Sequence, residues 1–418
     1  MKPDRRDIFV VADWQGLDGP VPVGVVTATP SRGREVFSFA YDDHWLKARA
    51  WPTLDPALTL HRGAQFVVGD RANFGVFQDS SPDRWGRVLL RRREAWRARR
   101  EGRRPRALVE SDFLLGVFDG HRMGGLRYRL SPEGPFLDDD AALASPPWTS
   151  LAELAHASRE LERDDVEDDP RFANWLQMVL APGRSLGGAR PKASVVDSDG
   201  ALWMAKFPSR DDPHDVGAWE YVVHTLAARA GIDCAEARCQ RLGSRHHTFL
   251  TRRFDRVGGR RRHFISAMTL LEREDGASDA SYLEIVEAIA QHAANAPRDL
   301  EQLWRRIAFS MCVSNIDDHL RNHGFLLDAT GWTLAPAYDL NPVPTGDGLS
   351  LNVSEDDNAQ ELDLLREVAP WFRLTPSRGE VVLEQVLAAV RSWRSVAVTV
   401  GLSRAAQTTM APAFRIAS

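Results

Sequence analysis

Cysteine is scarce in this sequence, and its scarcity excludes several classes of protein. Three cysteines in 418 residues are too few for a disulfide framework, and they indicate a reducing compartment. Cys234 and Cys239 have C-x4-C spacing, but no second pair of cysteines or histidines lies near them in the sequence, which disfavours a zinc site. A scaffold built on cysteine is therefore not expected.

Long apolar runs and the common nucleotide motifs are also absent. No apolar run approaches the length that spans a bilayer, and the N-terminal MKPDRRDIFVVADW has no apolar signal region, so we expect a cytoplasmic protein without membrane contact. There is no Walker A sequence, no Rossmann glycine pattern and no H-E-x-x-H motif. The net charge of −5 argues against a chain that binds nucleic acid over its whole surface, although it is compatible with a local basic face.

What is present is the composition of a globular protein with both strands and helices. With 43% hydrophobic residues, the chain is long enough for two or three subdomains with real cores. Residues 1–75 are predicted to form strands, and Asp199-Gly200 between two apolar segments predicts a hairpin. DVGAWEYVVHTLAARAGI (215–232) predicts a helix capped by its first Asp and ended by its Gly. Most of the chain after Ser281 is predicted to be helical.

An arginine-rich segment, 84–106, follows a helix-capping sequence near Ser81. Contact with nucleic acid is one interpretation of so many arginines. A solvated helix with a basic loop is the interpretation that we favour from the sequence, because Glu94 and Glu101 interrupt the run and the whole chain is acidic.

Two features in the middle of the chain fit phosphate binding. GRSLGGARPKA places a glycine pair beside basic residues just before the hairpin, where backbone N–H groups can surround phosphates, although such turns commonly hold no ligand. Lys206 lies in an apolar strand, where a lysine is costly unless it is paired. It is a candidate phosphate ligand held by Glu220 of the next helix, and the alternative is an edge strand from which it points to water.

A polar cluster, SNIDDHLRNHGFLL, interrupts apolar sequence in the last third of the chain. Asp317 and Asn322 have the D-x-x-x-x-N spacing of the catalytic base and a metal ligand in kinase catalytic loops. The Asp would orient an acceptor hydroxyl, and the Asn would offer an oxygen to Mg²⁺. Asp318 is an alternative base, and His319 could touch the nucleotide or the metal shell. Each group could also be an ordinary helix cap.

The order of these groups favours kinase chemistry more than any one of them does. In APAYDLNP, Asp339 occupies the place where kinases keep the Asp that bridges the phosphates through metal. Glycine loop, strand lysine, helix glutamate, D-x-x-x-x-N and downstream Asp follow one another as in kinases. A β-rich part before Leu271 and a helical part after it agree with that order.

The chain resembles the HipA-type serine/threonine kinases of bacterial type II toxin–antitoxin modules. The resemblance covers about residues 150–390 and rests on SLGGARPKA, MAKFPS, AWEYVVHTLAARAGI, FLTRRFDR, SNIDDHLRNHGFLL and PAYDLNP. It implies an α+β, two-lobed protein-kinase-like fold, with a β-rich N-terminal lobe, a small N-terminal β subdomain and a mostly helical C-terminal lobe. The expected domains are an N-terminal subdomain at 1–110, a kinase N-lobe at 150–271 and a helical C-lobe at 272–418.

The resemblance also implies roles for individual residues. Asp317 would be the catalytic residue, Asn322 and Asp339 the Mg²⁺ ligands, Glu220 the ion-pair partner of Lys206, and Ser185 an inhibitory autophosphorylation site. The adenine hinge would lie near Thr269 to Leu271. The residues assigned to ATP binding are Gly187, Gly188, Ala189, Arg190, Pro191, Lys192, Lys206, Thr269, Leu270, Leu271, His319, Asn322 and Tyr338.

The partners implied by the resemblance are proteins. Members of the family phosphorylate a protein on a serine, one target class being aminoacyl-tRNA synthetase, and a HipB-type helix-turn-helix antitoxin neutralises them. Contact with DNA would then be indirect, through the antitoxin. The expected function is that of a Mg-ATP-dependent Ser/Thr protein kinase, a toxin that arrests growth by phosphorylating a translation-related protein.

Two departures from the family and two alternative functions remain. The family commonly has a polar pair such as Gln-Glu in the phosphate loop, where this chain has Arg190-Pro191, and the adjacent acids Asp317 and Asp318 leave the base assignment open.

A small-molecule phosphotransferase would use the same D-x-x-x-x-N chemistry, with 352–363 as an acidic acceptor region. A non-catalytic regulator that only binds its partner is disfavoured, because every candidate catalytic group is present.

Overall fold

The computed structural model of the chain consists of two compact units. The described residues are 5–48, 53–69, 71–138, 147–163, 166, 169–180, 190–274, 276 and 279–417. The first unit comprises Met1–Ala205, Asp255–Ile265 and Leu327–Ala329, and the second comprises Lys206–Phe254, Ser266–Leu326 and Thr330–Ser418. The predicted division into three domains stays a prediction.

Strands and helices alternate irregularly along the chain, which confirms the predicted α+β class. The described strands are β1 (Arg6–Ala12), β2 (Val21–Ser31), β3 (Arg34–Tyr41), β4 (Gln65–Phe66), β5 (Leu126–Arg129), β6 (Lys192–Val196), β7 (Leu202–Lys206), β8 (Ala237–Arg241), β9 (His247–Arg252), β10 (Arg256–Val257), β11 (Arg260–Arg261), β12 (His263–Ser266), β13 (Gly324–Asp328) and β14 (Gly331–Leu334). The described helices are α1 (Asp43–Ala48), α2 (Gly75–Asp79), α3 (Arg84–Arg100), α4 (Glu110–Leu115), α5 (Leu151–Glu160), α6 (Phe172–Leu180), α7 (Val216–Arg229), α8 (Ala267–Leu270), α9 (Tyr282–His292), α10 (Ala296–Val313), α11 (Leu362–Val368), α12 (Pro376–Arg391), α13 (Trp393–Val400) and α14 (Arg404–Met410). Among these described helices, none has both the length and the apolar composition that crossing a membrane requires.

An antiparallel sheet with the strand order β4-β3-β2-β1-β5 opens the first unit. Because successive side chains of a strand point to opposite faces, Phe37, Phe39 and Tyr41 of β3 all face the interior, where each is buried. The Phe39 ring lies 5.6 Å from that of Phe77 on α2, so this helix covers the inner face of the sheet. The strands predicted within 1–75 are therefore confirmed.

Helices α3, α5 and α6 enclose a second apolar core of the first unit. Helix α3 begins after Asp83, whose Oδ1 accepts a hydrogen bond from Gly86 N at 2.8 Å, slightly later than the start predicted near Ser81. The buried residues of this core are Trp85, Leu89, Leu90, Phe113, Ala157, Leu161, Val166, Phe172, Trp175, Leu176 and Val179. The apolar side of α3 is therefore fixed inside the unit.

The hairpin predicted at Asp199-Gly200 is confirmed by strands β6 and β7. Asp197 N donates to Ala201 O at 3.0 Å across the turn, and Gly200 has a φ of +77°, a left-handed conformation that glycine adopts readily. This hairpin ends at Lys206, the first residue of the second unit.

Helix α10 is the centre of the second unit. Its long buried face includes Trp304, Ile307 and Phe309, and it packs against α9, α11 and α12. Near the end of the chain, the rings of Trp393 and Phe414 stack at 4.4 Å, and Trp219 of α7 lies 6.0 Å from Trp393. Helix α7 is thereby held against the C-terminal helices of the same unit.

Candidate active site

Lys206 is the centre of a buried ion cluster in the second unit. Its Nζ lies 2.6 Å from Glu220 Oε1 and 2.5 Å from Asp339 Oδ1. Only 11% of the Lys206 side chain is exposed, so the alternative in which it points to water is excluded. Burial by itself lowers the pKa of the Lys206 ammonium, but the charges of Asp339 and Glu220 outweigh burial and raise that pKa above its ordinary value. The lysine is therefore a permanent cation between two carboxylates.

Contacts at the start of α7 determine where Glu220 lies. Asp215 caps the helix by accepting a hydrogen bond from Ala218 N at 3.2 Å, as the sequence predicted. The same carboxylate accepts a hydrogen bond from His247 N at 2.8 Å and lies 2.6 Å from the His247 ring. A Cβ at Gly217 would stand 2.2 Å from His247 O, so only glycine allows this close approach of α7 to β9. Glu220 follows one turn later, facing Lys206.

The polar cluster at 314–323 forms a loop between α10 and β13, as the sequence predicted. Helix α10 ends at Val313, and its C-terminal cap Ser314 has a φ of +48°, which turns the chain away from the helix axis. Asn315 Oδ1 accepts a hydrogen bond from Asn341 N at 3.0 Å, and Val343 N donates to Ser314 O at 3.1 Å. The loop is therefore tied to the segment that follows Asp339.

Burial separates the two neighbouring aspartates of this loop. Asp317 is exposed, whereas Asp318 is 3% exposed. Asp318 Oδ2 accepts hydrogen bonds from Tyr282 OH at 2.7 Å and Ser310 Oγ at 3.3 Å, and its Oδ1 lies 3.0 Å from His323 Nε2. Asp318 is thus an internal anchor of the loop, whereas the Asp317 carboxylate is accessible from solvent.

The charge state of Asp318 follows from these contacts. Burial by itself raises the pKa of the Asp318 carboxyl. The charge of His323 and the hydrogen bonds from His323 and Tyr282 outweigh burial, and they lower that pKa below its ordinary value. Asp318 is therefore an ionised acceptor at neutral pH, which suits the anchoring of a loop and does not suit proton uptake.

Two asparagine side chains offer oxygen atoms next to these acids. Asn322 Nδ2 donates to Asp317 O at 3.0 Å, and Asn341 Nδ2 donates to Asp339 Oδ1 at 3.3 Å. The Oδ1 atoms of both asparagines are buried and accept no hydrogen bond from the described part of the chain. The sequence analysis did not identify Asn341 as a site residue. Its position two residues after Asp339, in DLNP, was the available signal.

These oxygen atoms fit a magnesium ion. Carboxylate and amide oxygens are the hard ligands that Mg²⁺ prefers. Among the described residues, no three His, Cys, Asp or Glu side chains converge as a metal site. The amide oxygen of Asn341, whose Nδ2 contacts Asp339, and that of Asn322 in the polar loop are candidate oxygen ligands in addition to the Asp339 carboxylate. Asp339 has a φ of +60°, and a non-glycine residue held in this sparsely populated region is typical of functional sites.

The residues predicted for the adenine hinge form a single helical turn. Helix α8 is capped by Ser266, whose Oγ accepts a hydrogen bond from Thr269 N at 3.2 Å, and Thr269 and Leu270 are buried. Ala267 N donates to His323 O at 2.7 Å, which links this turn directly to the end of the polar loop. Leu271 ends the helix as its C-terminal cap.

Tyr338 and His319, both assigned to ATP binding from the sequence, also lie at the polar loop. Tyr338 OH donates to Arg321 O at 2.6 Å, and its ring stacks on Phe254 with centroids 5.5 Å apart. His319 Nδ1 is buried and has no hydrogen-bond partner within the described residues. Both side chains therefore belong to the same local structure as Asp317 and Asn322.

The predicted phosphate loop is described only in its last three residues. Ser185, Gly187, Gly188 and Ala189 lie outside the described residues, whereas Arg190 and Pro191 precede β6 directly. Lys192 is 1% exposed, and its Nζ lies 2.8 Å from Asp83 Oδ2, within the first unit. The ammonium of Lys192 is therefore already paired, and the assignment of this loop to ATP binding stays a prediction.

Comparison with known families identifies the relationship. The family model described as the HipA-like C-terminal domain matches residues 184–394, half of the chain. The chain belongs to the HipA-like family. This confirms the resemblance found in the sequence, and the matched region contains Lys206, Glu220, the polar loop and Asp339. No curated protein sequence is similar enough to serve as a relative of this HipA-like chain.

A solved structure supports the same fold. The HipA toxin–antitoxin structure of Shewanella oneidensis MR-1, with HipB and operator DNA, superposes with a TM-score of 0.67 at 15% identity, covering 95% of this chain and 94% of that chain. The Helicobacter pylori proinflammatory kinase CtkA superposes with a TM-score of 0.35 at 17% identity, covering 54% of this chain and 95% of that chain. The fold assignment rests on the first, and the predicted HipA-type fold is confirmed.

Proposed function

We propose that this HipA-like chain is a Mg·ATP-dependent serine/threonine protein kinase that acts as the toxin of a toxin–antitoxin system. The observation that supports this most is the contact of Lys206 with both Glu220 and Asp339 in one buried cluster. A lysine held by a helix glutamate, beside an aspartate that can take a metal, is the arrangement that kinases use to bind phosphates. Stabilisation of the fold alone does not require three charged groups, those of Lys206, Glu220 and Asp339, in one buried cluster.

Each group of the cluster has a distinct role in this proposal. Lys206 neutralises phosphate charge, and Glu220 keeps its ammonium in place. Asp317, the exposed acid of the loop, orients the acceptor hydroxyl for in-line attack. Asp339, Asn322 and Asn341 would hold Mg²⁺, which when bound neutralises charge on the transferred phosphoryl group.

The proposal extends to partners and regulation. The solved structure from Shewanella oneidensis contains HipB and operator DNA together with HipA. We infer that a helix-turn-helix antitoxin of the same type neutralises this chain, and that the chain meets operator DNA through that partner. Phosphorylation of Ser185, in the predicted phosphate loop, would add nearly two negative charges beside bound phosphates and oppose nucleotide binding.

Intact-mass spectrometry tests the kinase activity directly. Dephosphorylated protein incubated with Mg·ATP is expected to gain about 80 Da, the mass of one phosphoryl group, mapped to Ser185. The Asp317→Asn variant is expected to gain nothing. Because Asp317 is exposed, its replacement leaves the fold intact, and a melting temperature equal to that of the wild type is the control.

Other outcomes of this experiment have definite meanings. A full mass gain in Asp317→Asn would assign the base to another residue. A wild-type protein that gains no phosphate but consumes ATP with a metabolite acceptor would be a small-molecule phosphotransferase. A protein that does neither would contradict phosphotransfer altogether.

A further inference from the structure

The arginine-rich segment 84–106 has no part in the proposed phosphoryl transfer, and its charge contrasts with that of the chain. The segment contains eleven arginines and two glutamates, in a protein whose formal net charge is −5. It forms helix α3 and the loop that follows it. So large a local excess of one charge creates a positive field unless nearby acids neutralise it.

Internal ion pairs neutralise only part of this excess. Within the described part of the chain, arginines of the segment contact carboxylates at N–O distances of 2.5 to 2.6 Å in the pairs Arg87–Glu110, Arg103–Glu94, Arg103–Glu101 and Arg106–Asp112. Arg103 therefore forms ion pairs with both glutamates of the segment. Arg93 is 3.8 Å from Asp138, a much weaker contact.

Three further arginines, Arg97, Arg100 and Arg104, are exposed and contact no carboxylate in the described part of the chain. We call these three residues the arginine surface. Arg97 and Arg100 are three residues apart on α3 and so share one side of the helix, and Arg104 follows in the adjoining loop. The guanidinium of Arg100 lies 4.8 Å from the ring centroid of Trp96, which restricts its motion without removing its charge.

The orientation of this surface is fixed by the fold. Trp85, Leu89 and Leu90 bury the apolar side of α3 in the core shared with α5 and α6. The helix therefore has no apolar face left to insert between lipids, which a membrane-surface helix requires. Val88, which is 36% exposed, is a single apolar residue on the outer side of α3, and that side is otherwise dominated by arginines.

We propose that the arginine surface binds the phosphate backbone of duplex nucleic acid without reading its base sequence. A duplex carries closely spaced negative charges, and arginines that neutralise them release condensed counterions. The segment 84–106 contains no Asn or Gln that would pair with adenine. Arginine can pair with guanine, so equal binding to duplexes of unrelated sequence is the property that identifies a contact with the backbone alone. This surface acts independently of the kinase chemistry.

The salt dependence of binding tests the proposal. Fluorescence anisotropy would measure the affinity of the full chain for a labelled DNA duplex of about 20 base pairs, between about 50 and 200 mM salt. In the triple variant Arg97→Gln, Arg100→Gln, Arg104→Gln, the slope of log K against log salt is expected to fall in magnitude by up to about 2.7, roughly 0.9 for each lost phosphate contact. Duplexes of unrelated sequence are expected to behave alike.

A matched variant controls for the loss of net charge. Arg373, Arg394 and Arg404 are three exposed arginines of the second unit, and Arg394 stacks on Trp393 as Arg100 stacks on Trp96. Their triple change to Gln removes the same charge, and we expect it to leave the slope unchanged. Circular dichroism of both variants should match the wild type, since none of the six arginines contacts a carboxylate in the described structure.

Three results would overturn the proposal. The first is the absence of duplex binding by the wild type at the lowest salt. The second is an equal loss of slope in the two triple variants, which would make the effect one of net charge. The third is binding to vesicles of anionic lipid with the same dependence on the arginine surface, which would make the ligand a membrane surface.

Discussion

At the scale of single residues, burial distinguishes the roles of two residues of the same type, which the sequence alone cannot distinguish. Asp317 and Asp318 are adjacent acids, yet one is exposed and the other accepts hydrogen bonds from Tyr282 and Ser310 inside the unit. An acid that must meet an acceptor hydroxyl has to be reachable. We therefore propose Asp317 as the catalytic residue of the proposed kinase and Asp318 as a positioning residue.

Replacement of Asp318 should cost far more stability than replacement of Asp317. Asp318→Ala removes the acceptor of two buried hydroxyl donors and the partner of His323, so we expect a loss of about 3 kcal/mol in the free energy of unfolding. Asp317→Ala changes an exposed side chain and should cost no more than about 0.5 kcal/mol. Urea unfolding of both variants at neutral pH measures the difference.

The pH dependence of the free energy of unfolding provides a second test of Asp318. The folded-state pKa of Asp318 is lowered, so its carboxylate contributes stability above its unfolded-state pKa of about 3.9 and loses that contribution as the pH falls through the folded-state value. The stability difference between wild type and Asp318→Asn should therefore be largest near neutral pH and shrink below about pH 4. A difference that stayed constant down to pH 2 would contradict an ionised anchor.

At the scale of elements, close approach of backbones determines the position of α7. Asp215, Gly217 and His247 join the start of this helix to β9, and Glu220 is placed one turn further along. The capping residue was visible in the sequence, whereas the need for glycine at 217 was not. A glycine inside a helix usually lowers the stability of that helix, but Gly217 allows α7 to contact β9 closely.

A pair of glycine substitutions tests this contact. In Gly217→Ala the new Cβ would meet the His247 carbonyl oxygen, so we expect a loss of about 1–3 kcal/mol and weaker nucleotide binding through a displaced Glu220. Gly379 of α12 is the matched position, because a Cβ there meets its nearest atoms at 3.8 Å. Gly379→Ala should gain up to about 1 kcal/mol from helix propensity. Equal effects of the two changes in thermal unfolding would show that the close approach is unimportant.

At the scale of the whole molecule, binding of Mg·ATP should increase the free energy of unfolding. If Asp339 holds Mg²⁺ with the nucleotide, Mg·ATP at a hundred times its Kd should raise the free energy of unfolding of the wild type by about 2.7 kcal/mol. Asp339→Asn should lose the part of this gain that depends on Mg²⁺, because a metal ligand is removed. Asp356→Asn, at an exposed acid of the same unit, is the control.

The comparison of ATP with and without EDTA completes this experiment. Wild type in EDTA should resemble Asp339→Asn in Mg·ATP, since both lack the bound cation. Full Mg²⁺-dependent stabilisation of Asp339→Asn would remove Asp339 from the proposed ligand set. It would leave Lys206 and Glu220 as the phosphate-binding part of the site.

Several parts of the fold and the site could be predicted from local sequence. The capped helix α7, the Asp-Gly hairpin and the loop between α10 and β13 all follow from patterns within about twenty residues, where capping, turn geometry and hydrophobic period act directly. Helix α8 and the partner of Lys192 could not be predicted. A four-residue helix has too little pattern, and Asp83 is more than a hundred positions from Lys192.

The sequence by itself determined the family, the α+β class and the order of Lys206, Glu220, Asp317, Asn322 and Asp339, because residue types and spacings along the chain carry that information. Only the tertiary structure decided which of these groups meet. Lys206 and Asp339 are 133 positions apart and come within 2.5 Å, and Asn341 joins them through a hydrogen bond to Asp339. Contacts of this kind depend on how distant segments pack. Burial then determines which acid is reachable, and the carboxylates of Glu220 and Asp339 keep the buried Lys206 charged.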